Sequence, residues 1–109
     1  MSDAPSLSRE GDVLLVAGDL TMQTVGAIVA AGAALMAPGP LRVDLSRVDK
    51  ADSAGLAMLL DWFRSALAAR CNLLVVGAPA DLATLARVYG LADIIPMFSR
   101  APAESSRAR

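Results

Sequence analysis

Three carboxylates, Asp44, Asp49 and Asp52, stand close together in this chain, with Lys50 and Ser53 among them. Such a group suggests a cation site or an acid/base pair. The other reading is a strand-end residue, a solvated loop residue and a helix cap. No further ligand or partner base completes the pattern, so the second reading is preferred and no metal is expected. Ser53 as a nucleophile would need a base, and the chain contains no histidine. Lys50, the sole lysine, sits three residues away in a polar stretch where nothing would strip its proton. Cys71 is the one cysteine and reads as a small apolar residue after a helix. A Gly-x-Gly-x-x-Gly fingerprint and a Gly-Lys-Ser/Thr loop are both missing, so neither nucleotide hydrolysis nor a nucleotide cofactor is expected. No catalytic residue is assigned.

Ser53 keeps two readings. It stands where a helix N-terminus is expected, so its hydroxyl suits a cap. The same position is the positive end of the helix, which favours a phosphoryl group or a partner's polar group.

The elements that must position this loop follow from composition and patterning. The 109 residues fit one domain. Hydrophobic residues make up 55% and aromatics 4%, so a packed core must be built from aliphatic side chains. Net charge is -1 with no basic stripe, which argues against nucleic-acid binding. A lone cysteine fits a reducing compartment. Met1-Ser2-Asp3-Ala4-Pro5 lacks the basic-then-apolar order of a secretory signal. The uncharged stretch from Leu20 to Leu41 is apolar only over about Val25 to Ala37 and ends at Pro38-Gly39-Pro40. It reads as a buried helix and not as a membrane span.

Val13 to Ala17 reads as a strand buried on both faces or nearly so, with Leu7 to Arg9 as an edge strand turned at Glu10-Gly11-Asp12. A first helix is expected over Thr21 to Ala37, with the stripe Val25, Ile28, Val29, Gly32, Leu35 and Met36. Leu41 to Leu45 alternates as a second main strand, and Ser46 to Ala51 is a polar connection. A second helix runs from Gly55 to Arg70, capped by Asp52 or Ser53. Asn72 to Gly77 is a further strand. Pro79 opens a third helix in its first turn, with the stripe Leu82, Leu85, Ala86 and Tyr89 and a stop at Gly90. Ile94 to Phe98 reads as a short last strand. Residues 1–6 and 100–109 are polar tails around a domain at 7–99. The strand–helix alternation gives an α/β domain with a largely parallel sheet.

On a helical wheel, Leu56, Leu59, Leu60, Phe63 and Leu67 share one arc of the second helix. Met58 and Trp62 then fall on the far side as surplus apolar residues. An outward Met and Trp suit a protein partner, so both are expected to extend a docking surface from Asp52, Ser53, Ala54 and Gly55.

Val43-Asp44-Leu45-Ser46, Val48 and Asp52-Ser53-Ala54-Gly55-Leu56-Ala57-Met58-Leu59-Leu60 resemble the central signature of STAS domains, which include bacterial anti-anti-sigma factors. Leu73 to Gly77, Asp81 to Leu91 and Pro96 look closer to the MlaB branch, the STAS subunits of Mla phospholipid ABC transporters. The resemblance covers roughly residues 11 to 98. It implies a four- to five-stranded, mostly parallel sheet with helices on one side. It also implies a non-catalytic cytoplasmic adaptor, held at the inner membrane through its complex without inserting into the membrane. The implied partner is an MlaF-like ATPase subunit. The sigma-regulator branch implies instead an anti-sigma kinase that phosphorylates the serine matching Ser53. Ala54 stands where that branch often has a second serine, a departure that leans towards the transporter branch.

Overall fold

The structure is a computed structural model, and it describes residues 4–90. Among the described residues four strands form one sheet in the order β1-β2-β3-β4: β1 (Ser6–Glu10), β2 (Val13–Leu20), β3 (Gly39–Ala51) and β4 (Cys71–Val76). β1 and β2 make an antiparallel hairpin, whereas β3 runs parallel to both β2 and β4. Gly11 holds the hairpin turn at φ 63°, a conformation that costs glycine little. Two of the three pairings are therefore parallel, as the strand–helix alternation predicts.

The sheet has one covered face and one open face. In register across three strands, Leu14, Val43 and Val75 are all buried. The neighbouring row of Leu15, Asp44 and Val76 is half-buried, and Arg42 with Leu74 is exposed. Thus β2 is not buried on both faces, as its unbroken apolar run suggested. Helices cover one side only, so alternate residues of the run remain partly open.

β3 is longer than expected. Ser46 to Ala51 continues the strand instead of leaving it, pairing with the end of β2 through register shifts after Leu15 and Gly18. Val48 points into the core while Arg47 and Asp49 are exposed, so the segment alternates beneath its polar composition.

The expected first helix is broken. Thr24 donates its hydroxyl to Asp19 O (2.7 Å) and accepts from Thr21 N (2.8 Å), closing a turn before any helix begins. A 3-10 turn over Val25–Ala27 follows, and only α1 (Val29–Ala33) is α-helical. Ile28 between them sits at φ -126°, ψ -7°, outside the helical region. The predicted stripe survives: Ile28 and Gly32 are buried, and Val25, Val29, Leu35 and Met36 are half-buried.

α2 (Ser53–Ala69) is the long helix, and it packs against α1, α3 and the sheet. α3 (Ala80–Val88) begins one residue after Pro79, which is its N-cap and not a first-turn residue. Leu82 and Ala86 are buried, but Tyr89 is 56% exposed and not part of the core stripe. Gly90 takes φ 72° at the helix end, as a stop residue should. Cys71 is buried at the start of β4, the small apolar role expected of it. Among the described residues no helix is long and apolar enough to cross a membrane. The expected strand at Ile94 to Phe98 and the tail at 100–109 lie outside the described residues.

Candidate functional site

β2, β3 and β4 run the same way, so the connections leaving them all emerge at one edge of the sheet. In open α/β sheets that edge is where ligands and partners are met. Three segments meet there: the Thr21 to Thr24 turn, Asp52 at the start of α2, and Pro79 at the start of α3.

Asp52 is the organising residue. It adopts extended backbone angles (φ -122°, ψ -166°), and its Oδ1 accepts the Ala54 N–H at 2.8 Å. Its Oδ2 accepts the Met22 N–H at 3.1 Å, which ties the turn after β2 to the head of α2. The Asp52 N–H donates to Leu20 O at 3.1 Å. One carboxylate thus satisfies two otherwise free backbone donors and caps the helix.

Ser53 is consequently not the cap. It is the first helical residue, and it is exposed. Of the two readings its sequence position allowed, capping falls to Asp52, and the Ser53 hydroxyl is left facing outward. Ala54 is half-buried and Gly55 is buried. A Cβ on Gly55 would lie 2.8 Å from Leu20 O, so glycine permits the close approach of α2 to the end of β2.

Met58 and Trp62 require correction. Met58 is 2% exposed and Trp62 is fully buried, so neither lies on an outer face. The Trp62 indole lies against Gly32 of α1 and donates its Nε1–H to Val29 O at 2.8 Å. Conversely, Leu67, read as core, is 64% exposed. The outward apolar face expected along α2 through Met58 and Trp62 is therefore absent.

A groove of about 430 Å³ opens beside Ser53. Ala51, Asp52 and Ser53 form one wall, and Asp81, Thr84, Leu85 and Tyr89 of the α3 segment form the other. Met22, bonded to Asp52 through its backbone, is 74% exposed at the same edge. Val88, 69% exposed, shares the arc of Asp81, Thr84 and Leu85 on α3. Among the described residues, Met22 and Tyr89 are thus exposed apolar side chains near Ser53, with Val88 next to Tyr89 in the chain, and all three are absent from the sequence-based surface. For Met22 the signal was topological, because parallel strands put the turn after β2 beside the head of α2; Val88 and Tyr89, at the far end of α3, carried no such signal.

The carboxylates Asp44, Asp49 and Asp52 do not converge, and no group of three or more metal-ligating side chains occurs among the described residues. Asp44 lies in the open-face row of the sheet. The Ser46 hydroxyl chiefly, and then its N–H at 2.9 Å, hold the Asp44 carboxyl below its usual range, with smaller help from Arg47 and Arg42.

An α/β sheet covered on one side, with a capped serine loop at its carboxyl edge, defines a STAS-type fold. The family described as "Mlab, STAS domain" matches residues 4–96, and the chain belongs to that family. The intermembrane phospholipid transport system binding protein MlaB of Escherichia coli (strain K12) is 32% identical over 97 residues. The match covers 88% of this chain and 99% of that protein. MlaB of Shigella flexneri matches equally. Among solved structures, an anti-sigma factor antagonist from Mycobacterium paratuberculosis superposes with a TM-score of 0.70 at 23% identity. That superposition covers 89% of this chain and 86% of the other. The phosphorylated form of the Bacillus cell fate determinant SpoIIAA superposes with a TM-score of 0.66 at 17% identity. It covers 97% of this chain and 100% of that one. At these identities the structural likeness concerns the fold.

Proposed function

We propose that this chain is a non-catalytic adaptor that docks on the ATPase subunit of an Mla-type lipid transporter, using the edge built by Ser53. The observation that carries the reading is the exposed Ser53, next to the capping Asp52 and beside a groove that Leu85 and Tyr89 line with Asp81 and Thr84. Rigid polar groups beside exposed Met and Tyr suit a protein partner, since little side-chain order is lost on docking. The 32% identity to MlaB supplies the transporter context. In this reading the chain works in the cytoplasm, peripheral to the inner membrane through its complex. The partner-facing set becomes Met22, Asp52, Ser53, Thr84 and Tyr89, with Ala54 and Gly55 as backbone support and without Met58 and Trp62.

The test is co-purification with the ATPase subunit encoded by the same organism. Ser53→Asp puts a bulkier, strongly hydrated carboxylate into the close-packed docking edge, where its bulk and desolvation outweigh any attraction to a basic group, and is expected to abolish co-purification while circular dichroism stays unchanged. Full retention of the ATPase by that variant would count against the surface.

A second reading has its own support. Ser53 is exposed in the first turn of a 17-residue helix, where a phosphoryl group is electrostatically favoured. As an anti-anti-sigma factor the chain would be switched by a kinase at Ser53. A mass increase on Ser53, lost in Ser53→Ala, after incubation with the cognate anti-sigma kinase is the expected result.

A further inference from the structure

The groove beside Ser53 has a polarity of its own. Among the described residues its lining includes two carboxylates, Asp52 and Asp81, and no basic residue. Asp52 is committed to the N–H groups of Ala54 and Met22. Asp81 is exposed in the first turn of α3, and among the described residues no cation pairs with it. At the other end stands Tyr89, the C-cap of α3 and 56% exposed. Eight residues separate the two, which is roughly 12 Å along the helix. The groove is thus acidic where α3 begins and aromatic where it ends.

We propose that the occupant of this groove is a segment of the partner ATPase that presents an arginine or lysine to Asp81 and an apolar side chain to Tyr89, about 12 Å apart. This rests on the docking reading above and adds the chemistry of the partner to it. A helix alongside α3 meets that spacing with residues seven or eight apart, two turns along one face. The charge fixes register and speeds encounter, and the buried aromatic contact slows release. Arg87 does not pair with Asp81, because it lies about 120° around α3 and roughly 9 Å along it from that residue.

The experiment measures binding kinetics of the full chain on the purified ATPase subunit, at low and at high salt. The variants are Asp81→Lys, Asp81→Asn, Tyr89→Ala, Ser53→Asp, and one in which Arg100, Arg107 and Arg109 are all changed to alanine. Thermal melts confirm that each is folded; Asp81 and Tyr89 are exposed, so little stability is at stake. Asp81→Lys is expected to slow association about tenfold at low salt and to erase most of the salt dependence. Asp81→Asn should lie between it and the parent. Tyr89→Ala is expected to raise the dissociation rate about tenfold. If Asp81→Lys binds like the parent at both salts while Ser53→Asp does not bind, this inference is overturned and the docking reading stands. If the parent chain itself fails to bind, or Ser53→Asp binds like it, both fall. Two other occupants would also overturn it. One is a second copy of the chain, seen as a parent dimer that Asp81→Lys dissolves. The other is the chain's own terminal arginines, seen as tighter ATPase binding once all three are removed.

Discussion

The contact between Gly32 and Trp62 makes a quantitative prediction that separates a core tryptophan from a surface one. A Cβ added at Gly32 would fall inside the van der Waals envelopes of Trp62 Cζ2 and Cε2 and 2.7 Å from Nε1. The indole cannot easily move, because it is fully buried and its N–H is bonded to Val29 O at 2.8 Å. In an exposed helix Gly→Ala would gain about 1 kcal/mol. Here the added methyl costs about 1–3 kcal/mol in overpacking, and displacing the indole forfeits a hydrogen bond of about 1 kcal/mol. Gly32→Ala should therefore destabilise the parent by about 1–3 kcal/mol, lowering Tm by about 4–8 °C per kcal/mol. Trp62→Leu removes all three clashing atoms at its own cost of about 2–4 kcal/mol. In that background Gly32→Ala should become neutral or gain up to about 1 kcal/mol. The expected coupling is about 2–3 kcal/mol, well above the roughly 0.5 kcal/mol seen for independent sites. Urea denaturation followed by circular dichroism on the four proteins closes the cycle. Equal effects of Gly32→Ala in both backgrounds would refute the packing of α1 on α2, as would stabilisation of the parent.

Three further outcomes are expected. Asp52→Ala should cost about 1–2 kcal/mol, because it releases the N–H groups of Ala54 and Met22, whereas Ser53→Ala should stay within about 0.5 kcal/mol. The reverse order in chemical denaturation would return the cap to Ser53. Trp62→Phe should leave ATPase binding unchanged in any preparation that melts cooperatively, because the ring lies in the core; loss of binding at unchanged stability would restore it to the surface. Ser46→Ala should weaken the fold at neutral pH and less so in acid. The depressed Asp44 carboxyl gives stability that is present above its ordinary value of 3.8 and lost as pH falls through its lower folded value. Parent and variant stabilities should therefore converge below that point, and a gap that persists there would mean Ser46 acts by some other contact.

The signature loop was legible because its chemistry is local. Asp-Ser-x-Gly at a helix head needs only a cap and a close approach, and both are met by Asp52 and Gly55. Which of the two polar residues caps was not legible, because it turns on the backbone angles at Asp52. The strands were legible from their apolar runs, except where Ser46 to Ala51 hid its alternation under polar residues. The first helix was overcalled because its stripe was right while its continuity depended on Thr24, whose hydroxyl closes a turn against Asp19. The β3 extension needed a pairing across the sheet, whereas the cap and the broken helix turned on local backbone and side-chain geometry that residue types alone do not specify.

The misplacement of Met58 and Trp62 has a more instructive cause. The wheel was centred on the large residues Leu56, Leu59, Leu60, Phe63 and Leu67. The buried set is Gly55, Leu56, Met58, Leu59, Trp62 and Ala66. At about 100° per residue the two arcs differ by roughly 75°. Gly55 and Ala66 mark the true inner face, since small residues are where neighbours come closest; hydrophobicity alone gives them little weight. Gly32 is the complementary clue, because a glycine inside a helical stripe costs about 1 kcal/mol unless something large needs the space. Trp62 is what needs it. Once the tryptophan is turned inward, the exposed apolar side chains at the partner edge must come from elsewhere. Met22, tied through its backbone to Asp52, and Tyr89, on the far wall of the groove beside Ser53, are the exposed candidates. The core and the proposed docking surface are thus one problem: seating Trp62 in the space left at Gly32 removes the apolar face from α2 and leaves the groove between α2 and α3 as the candidate.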